Sequence, residues 1–165
     1  MTARHDIFLT VNGCEHHLFV EPRRLLCDVI REDLGLTGTH VSCELGVCGI
    51  CSVLMDGKPV SSCLMFAVQA DGACIETVES LNRSEGLHPL QQAFHDHHGL
   101  QCGFCTPGFL VTLLGLLREK PNASNEEIED ALDGVLCRCT GYQNIRTAAR
   151  AARDAMNTET TRETG

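Results

Sequence analysis

Residues 101–108, Gln101-Cys102-Gly103-Phe104-Cys105-Thr106-Pro107-Gly108, and residues 137–141, Cys137-Arg138-Cys139-Thr140-Gly141, decide how this chain is read. A C-x2-C pair and a C-x-C pair are separated by residues 106–136, whose apolar spacing is helical. Spacings this short bring both sulfurs of a pair to one neighbourhood. Four thiols gathered in this way form either a metal site or two disulfides.

The rest of the composition bears on that choice. The chain has 165 residues, 43% of them hydrophobic, with 11 cysteines and a net charge of −9 from 13 basic and 22 acidic side chains. No basic run appears, which argues against nucleic acid and anionic membranes as partners. The longest apolar run, Phe109 to Leu117, is far short of a membrane span. The first residues lack the apolar segment of a signal peptide, so a cytoplasmic location is expected. That compartment keeps thiols reduced, and clustered cysteines there point to metal.

Eight cysteines fall into two groups of four: Cys43, Cys48, Cys51 and Cys63, then Cys102, Cys105, Cys137 and Cys139. Cys14, Cys27 and Cys74 are scattered and are expected to be small buried hydrophobes.

Working outward, Ile7–Val11, Asn12-Gly13 and Cys14–Val20 read as a β-hairpin, because Asn-Gly supplies the positive φ angles of a tight turn. Residues 22–34 carry helical spacing through Leu25, Leu26, Val29, Ile30 and Leu34, with Gly35 as a stop. Residues 37–51 are Gly- and Cys-rich without periodicity, a loop shaped by something other than a core. Ser52–Met55, Asp56-Gly57 and Lys58–Ser61 form a second hairpin. Leu64–Val68 is a short helix or strand, and Cys74–Val78 reads as a strand.

After about Leu81 the pattern is helical. Leu87–His98 is one helix. Thr106 and Pro107 open another, as N-cap and first residue. Ser124 to Glu127 is a capping box, and Asn144 caps a last helix ending near Met156. Four helices in succession make an antiparallel bundle the default. The fold class is therefore α+β, with a mixed unit over residues 5–80, a helical unit over 87–156, a polar linker between them, and a polar tail, 157–165, expected to be disordered.

Cys43-x4-Cys48-x2-Cys51 opens the plant-type 2Fe–2S spacing. Gly46 and Gly49 let the backbone curl and aim N–H groups at sulfurs. Cys63 follows sooner than the fourth cysteine of plant ferredoxins. The second group sits at helix starts, where partial positive charge stabilises thiolates. Structural zinc is the alternative for both, since four thiolates suit it equally by count. His95 and His98 share a helix face while His97 points elsewhere, and the three read as a solvated or interfacial face; His16-His17 alternates across a strand and cannot chelate with both rings. No nucleophile–base pair is present.

Together, CELGVCGICSVLMDG, QCGFCTPG and CRCTGYQNI, in this order, resemble the small iron–sulfur subunit of the molybdenum hydroxylases, the xanthine dehydrogenase/aldehyde oxidoreductase family. The resemblance is closest to three-subunit bacterial enzymes of the aerobic carbon monoxide dehydrogenase type and runs from about Ile7 to Met156. Ile50 and Ser52 depart from the family's usual Ala and Thr. The resemblance implies a ferredoxin-like β-grasp domain followed by a four-helix domain, each holding one 2Fe–2S cluster on its four cysteines. It implies that Gln101 and Cys139 contact the pterin of a molybdenum cofactor, in the cytosine dinucleotide form, in a large subunit. It further implies an FAD-binding medium subunit, a dimer of heterotrimers, and single electrons passing through this chain to FAD. A free-standing double-cluster ferredoxin and a zinc-stabilised interaction module are the competing readings.

Overall fold

The computed structural model describes residues 4–163, with side chains through residue 158. Strands β1 (His5–Val11) and β2 (Cys14–Val20) form the first hairpin. Its turn places Asn12 at φ 51° and Gly13 at φ 81°, the left-handed pair that matches the twist of the strands. The same chemistry closes β3 (Ser52–Met55) onto β4 (Lys58–Ser61), with Asp56 at φ 50° and Gly57 at φ 81°. With β5 (Cys74–Glu76), the strands make one sheet in the order β2-β1-β5-β3-β4, in which only β1 and β5 run parallel.

Alternation along β1 buries Ile7, Leu9 and Val11 against Leu26, Val29, Ile30, Val53 and Ile75. The segment expected as one helix over 22–34 is shorter and mixed. Helix α1 covers Leu26–Asp28 and widens into a π-turn over Val29–Asp33, where Leu34 N–H reaches Val29 C=O at 3.0 Å. Adjacent β-branched Val29 and Ile30 are poor α formers, and Gly35 at φ 71° ends the turn.

Residues 64–68 lie across two 3-10 turns, Ser62–Leu64 and Ala67–Ala70. β5 stops at Glu76 rather than Val78, because Asn12 captures the next residue. Thr77 N–H donates to Asn12 Oδ1 and Asn12 Nδ2 donates to Thr77 Oγ1, both at 2.9 Å.

Helices α2 (Pro89–Asp96), α3 (Thr106–Glu119), α4 (Asn125–Asp133) and α5 (Gln143–Glu163) follow. Ser124 and Glu127 form the expected capping box, with bonds of 3.2 and 2.8 Å. Two other caps differ from expectation. Cys105, not Thr106, is the N-cap of α3. Asn144 lies inside α5, its amide donating to His98 C=O at 3.3 Å.

The polar stretch expected to be unstructured from residue 157 is helical to Glu163, and residues 164–165 lie outside the described residues. Asn157 docks that turn by donating to Pro121 C=O at 3.0 Å. Leu90, Phe94, Phe109, Leu113, Ile128, Leu132, Ile145 and Ala148 pack between the helices, and the same apolar cluster takes in Ile50 and Leu54 from the sheet half. Gly115 permits this: a Cβ there would lie 2.9 Å from Leu54 Cδ2. α3 is thus laid directly on β3.

Candidate metal centres

The first cysteine group is built by a loop that turns back on itself. Glu44, Gly46 and Gly49 all have positive φ, at 53°, 75° and 64°. This curl aims backbone donors inward, and Leu45 N–H reaches Cys43 Sγ at 3.4 Å. That bond, the Cys48 thiol and the N–H groups of Val47 and Cys48 hold Cys43 down at about 6. Burial pushes Cys63 up to about 12, with the Cys51 sulfur adding to the rise and Gly46 N–H opposing it. The backbone at Cys51 is fixed by Ser62, whose hydroxyl donates to Cys51 C=O at 2.7 Å.

The Cys48 thiol thus favours charge at Cys43, while Cys63 stays neutral beside Cys51 and Cys43. Cys48, Cys51 and Cys63 are buried, and Cys43 is half-buried.

The second group also brings its sulfurs together. Cys139 Sγ lies 3.6 Å from Cys102 Sγ, and the Cys105 thiol faces Cys137. Burial, followed by the Cys137 contact, pushes Cys105 up to about 12. At Cys137 burial acts upward, but the Thr140 hydroxyl at 3.2 Å and the N–H groups of Thr140 and Cys139 outweigh it, leaving this thiol below its ordinary value. Cys102 and Cys139 are exposed, as is Gln101 beside them.

Four neighbouring thiols in each place suit a group with two metal ions, each taking two thiolates. A single zinc takes all four. Thr106 Oγ1, on the residue after Cys105, is buried without a hydrogen-bond partner.

The two groups adjoin. Leu136 N–H donates to Cys48 C=O at 2.9 Å. A Cβ on Gly49 would fall 2.1 Å from Gly134 O, and one on Gly108 would fall 2.8 Å from Gly49 O. Only glycine allows this approach of backbone to backbone. A cavity of about 380 Å³ between the groups is lined by Cys43, Cys48, Cys105, Cys137, Phe104 and Leu136, among others.

Two families match the chain, a 2Fe-2S iron-sulfur cluster binding domain over residues 9–79 and a [2Fe-2S] binding domain over residues 77–150. The chain is 54% identical over 152 residues to the caffeine dehydrogenase subunit gamma of Pseudomonas sp. (strain CBB1), covering 90% of this chain and 91% of that one. It is 52% identical over 143 residues to the nicotine 6-hydroxylase small subunit of Paenarthrobacter nicotinovorans, covering 86% of each. The chain belongs to the small iron–sulfur subunits of the molybdenum hydroxylases. A crystal structure of quinoline 2-oxidoreductase from Pseudomonas putida 86 superposes with a TM-score of 0.89 at 48% identity, covering 94% of this chain and 98% of that one.

This iron–sulfur subunit therefore has an electron-transfer role within an oxidoreductase complex and carries two 2Fe–2S binding domains. No helix among the described residues is long and apolar enough to cross a membrane.

Sequence reasoning missed Tyr142. Its hydroxyl accepts from Cys137 N–H at 2.8 Å and donates to Val135 C=O at 3.2 Å, clamping the turn that presents Cys137. Its φ of 68° is unusual for a bulky residue. The available signal was that the chain's one tyrosine falls within the second cysteine motif. The expectation for the remaining cysteines also needs correction. Cys27 is buried, but Cys14 and Cys74 are exposed, because the hairpin end and the start of β5 leave them at the sheet rim.

Proposed function

We propose that Cys43, Cys48, Cys51 and Cys63 hold one 2Fe–2S group, and that Cys102, Cys105, Cys137 and Cys139 hold the second. The match of one 2Fe–2S family over residues 9–79 and another over residues 77–150, each spanning one group of four cysteines, supports this reading. Each group, when bound, supplies a one-electron carrier. The protein's own residues do the rest. Leu45, Val47 and Cys48 N–H groups stabilise charge at Cys43, Thr140 does so at Cys137, and burial of Cys48, Cys51, Cys63 and Cys105 limits water.

Residues 5–80 form a ferredoxin-like β-grasp unit and residues 87–156 a four-helix unit in this reading. The order of strands before helices supports it, as does the mixed sheet. Gln101 and Cys139 lie on the exposed side of the second group, where a partner's molybdopterin, in the cytosine dinucleotide form, docks. Electrons enter there and leave from the Cys43 side toward FAD on a medium subunit. The complex is a cytoplasmic dimer of heterotrimers. The high identity to named subunits of other dehydrogenases and hydroxylases supports the partnership.

Stopped-flow absorbance of the purified complex tests the order of the relay. Cys48→Ser is expected to leave substrate-driven bleaching of the second group and abolish flavin reduction. Gln101→Ala is expected to keep both groups but slow their reduction by substrate. Wild-type flavin reduction in Cys48→Ser overturns the order.

A further inference from the structure

His40 belongs to the loop ahead of the first cysteine group, yet its ring is engaged with the second. It stacks on Phe104 with centroids 4.7 Å apart and planes 13° from parallel. Its Nδ1 lies 2.8 Å from Phe104 C=O. A carbonyl can only accept, so Nδ1 carries the proton in this contact. Phe104 sits between Cys102 and Cys105, and Gly103 at φ 80° turns the chain just before it.

The backbone that presents His40 is braced. Arg31 Nη1 donates to Thr37 C=O at 2.9 Å and to Thr39 C=O at 2.7 Å. Gly38 N–H donates to Glu79 Oε1 at 2.8 Å, and Thr39 is only 2% exposed. The turn that carries Phe104 closes on itself through Thr106 N–H to Gly103 C=O at 3.2 Å. His40 is thus a firm support reaching across to a turn of the other half.

The bond from Leu136 to Cys48 ties Cys137's segment to the first group. The His40–Phe104 contact ties the Cys102–Cys105 segment to the first group as well. The two ties hold both arms of the second cysteine group, and Phe104 and Leu136 both line the cavity between the groups. We propose that His40 is a positioning residue that acts through Phe104 to fix the spacing of the two cysteine groups. This rests on the two-cluster reading above. The hydrogen bond is the decisive contact, since it fixes the carbonyl directly before Cys105, whereas the half-exposed ring stack fixes only a side chain.

The test uses the purified complex, reduced and examined by low-temperature EPR, with iron measured on the same samples. Spin–spin splitting between two reduced clusters depends steeply on their separation, and a contact that serves only stability does not alter it. His40→Ala and His40→Phe are expected to retain wild-type iron and to show a changed splitting. His40→Phe keeps a ring to stack but has no donor. His40→Gln, which restores an N–H donor, is expected to recover the wild-type splitting. Wild-type splitting in both His40→Ala and His40→Phe, with full iron, overturns the role of His40 and leaves the two-cluster reading standing. Fewer than four irons per chain in the unaltered complex overturns both.

Discussion

The backbone N–H of Leu136 donates to the carbonyl of Cys48 at 2.9 Å. One cysteine of the first group is therefore joined by a single hydrogen bond to the neighbour of Cys137 in the second. The Leu136 side chain is 51% exposed and takes no part in that bond. Leu136→Ala is expected to leave internal electron transfer unchanged. Leu136→Pro removes the donor and is expected to slow transfer between the groups and to cost about 1 kcal/mol or more in stability. Flash or stopped-flow kinetics of the two variants checks this. Equal rates would show that the bond carries no coupling.

Gly49 stands where the two halves meet. At φ 64°, with Gly134 O only 2.1 Å from a Cβ position, it has neither the backbone freedom nor the space for a side chain. Gly103 has a similar φ of 80° but nothing within 4 Å. Gly103→Ala is expected to cost about 1–2 kcal/mol through the left-handed backbone alone. Gly49→Ala should cost clearly more and release iron on mild heating. Thermal unfolding with iron release followed in parallel distinguishes the two, and equal losses would refute the close approach.

Cys27 packs with Cys51 and Cys63 in a small buried cluster of its own. Burial, followed by the neighbouring Asp28 carboxylate, pushes its thiol up to about 12, so it stays a neutral apolar side chain. Cys27→Ala is expected to retain iron with a modest loss of stability. Cys27→Ser puts a hydroxyl into that cluster and is expected to cost about 1–3 kcal/mol. Cys14 and Cys74 are exposed and should react with a thiol reagent in the folded complex while Cys27 does not. Iron loss in the Cys14→Ala or Cys74→Ala variant would show the grouping of the cysteines to be wrong.

Much of this architecture was legible in the sequence because it rests on local chemistry. Asn12-Gly13 and Asp56-Gly57 dictate two hairpins, and Ser124 with Glu127 dictates a helix start. What was not legible depends partly on contacts distant in sequence and partly on local backbone geometry. β5 ends early because Asn12 captures Thr77, a partner 65 residues away. Cys105 displaces Thr106 as the cap of α3. The Leu136–Cys48 bond arises only once the halves pack, whereas the Tyr142 clamp is local, five and seven residues from its partners, and no spacing rule encodes either.

Glu127 carries a pH signature. Lys120, 2.6 Å away, and the Ser124 N–H hold its carboxyl below the ordinary value of 4.5. A depressed carboxylate contributes stability that is present above its unfolded value and is lost as pH falls through the folded one. The Tm gap between wild type and Glu127→Gln should therefore be open at neutral pH and close once pH falls below the carboxylate range. A gap that persists in acid would assign the effect to packing instead. Ser124→Ala, which removes the cap itself, is expected to cost about 1 kcal/mol.

The central claim is that eight named cysteines hold two 2Fe–2S groups, and its most direct measurement is a paired count of iron and acid-labile sulfide in the native complex and in Cys51→Ala and Cys105→Ala. Two clusters require four irons and four sulfides per chain, with two EPR signals of different shape, because one group sits in a glycine-rich loop and the other between helix starts. Each substitution should remove one cluster and one signal and leave the other intact. Stoichiometric zinc in the native chain, or full iron in either variant, would contradict the account.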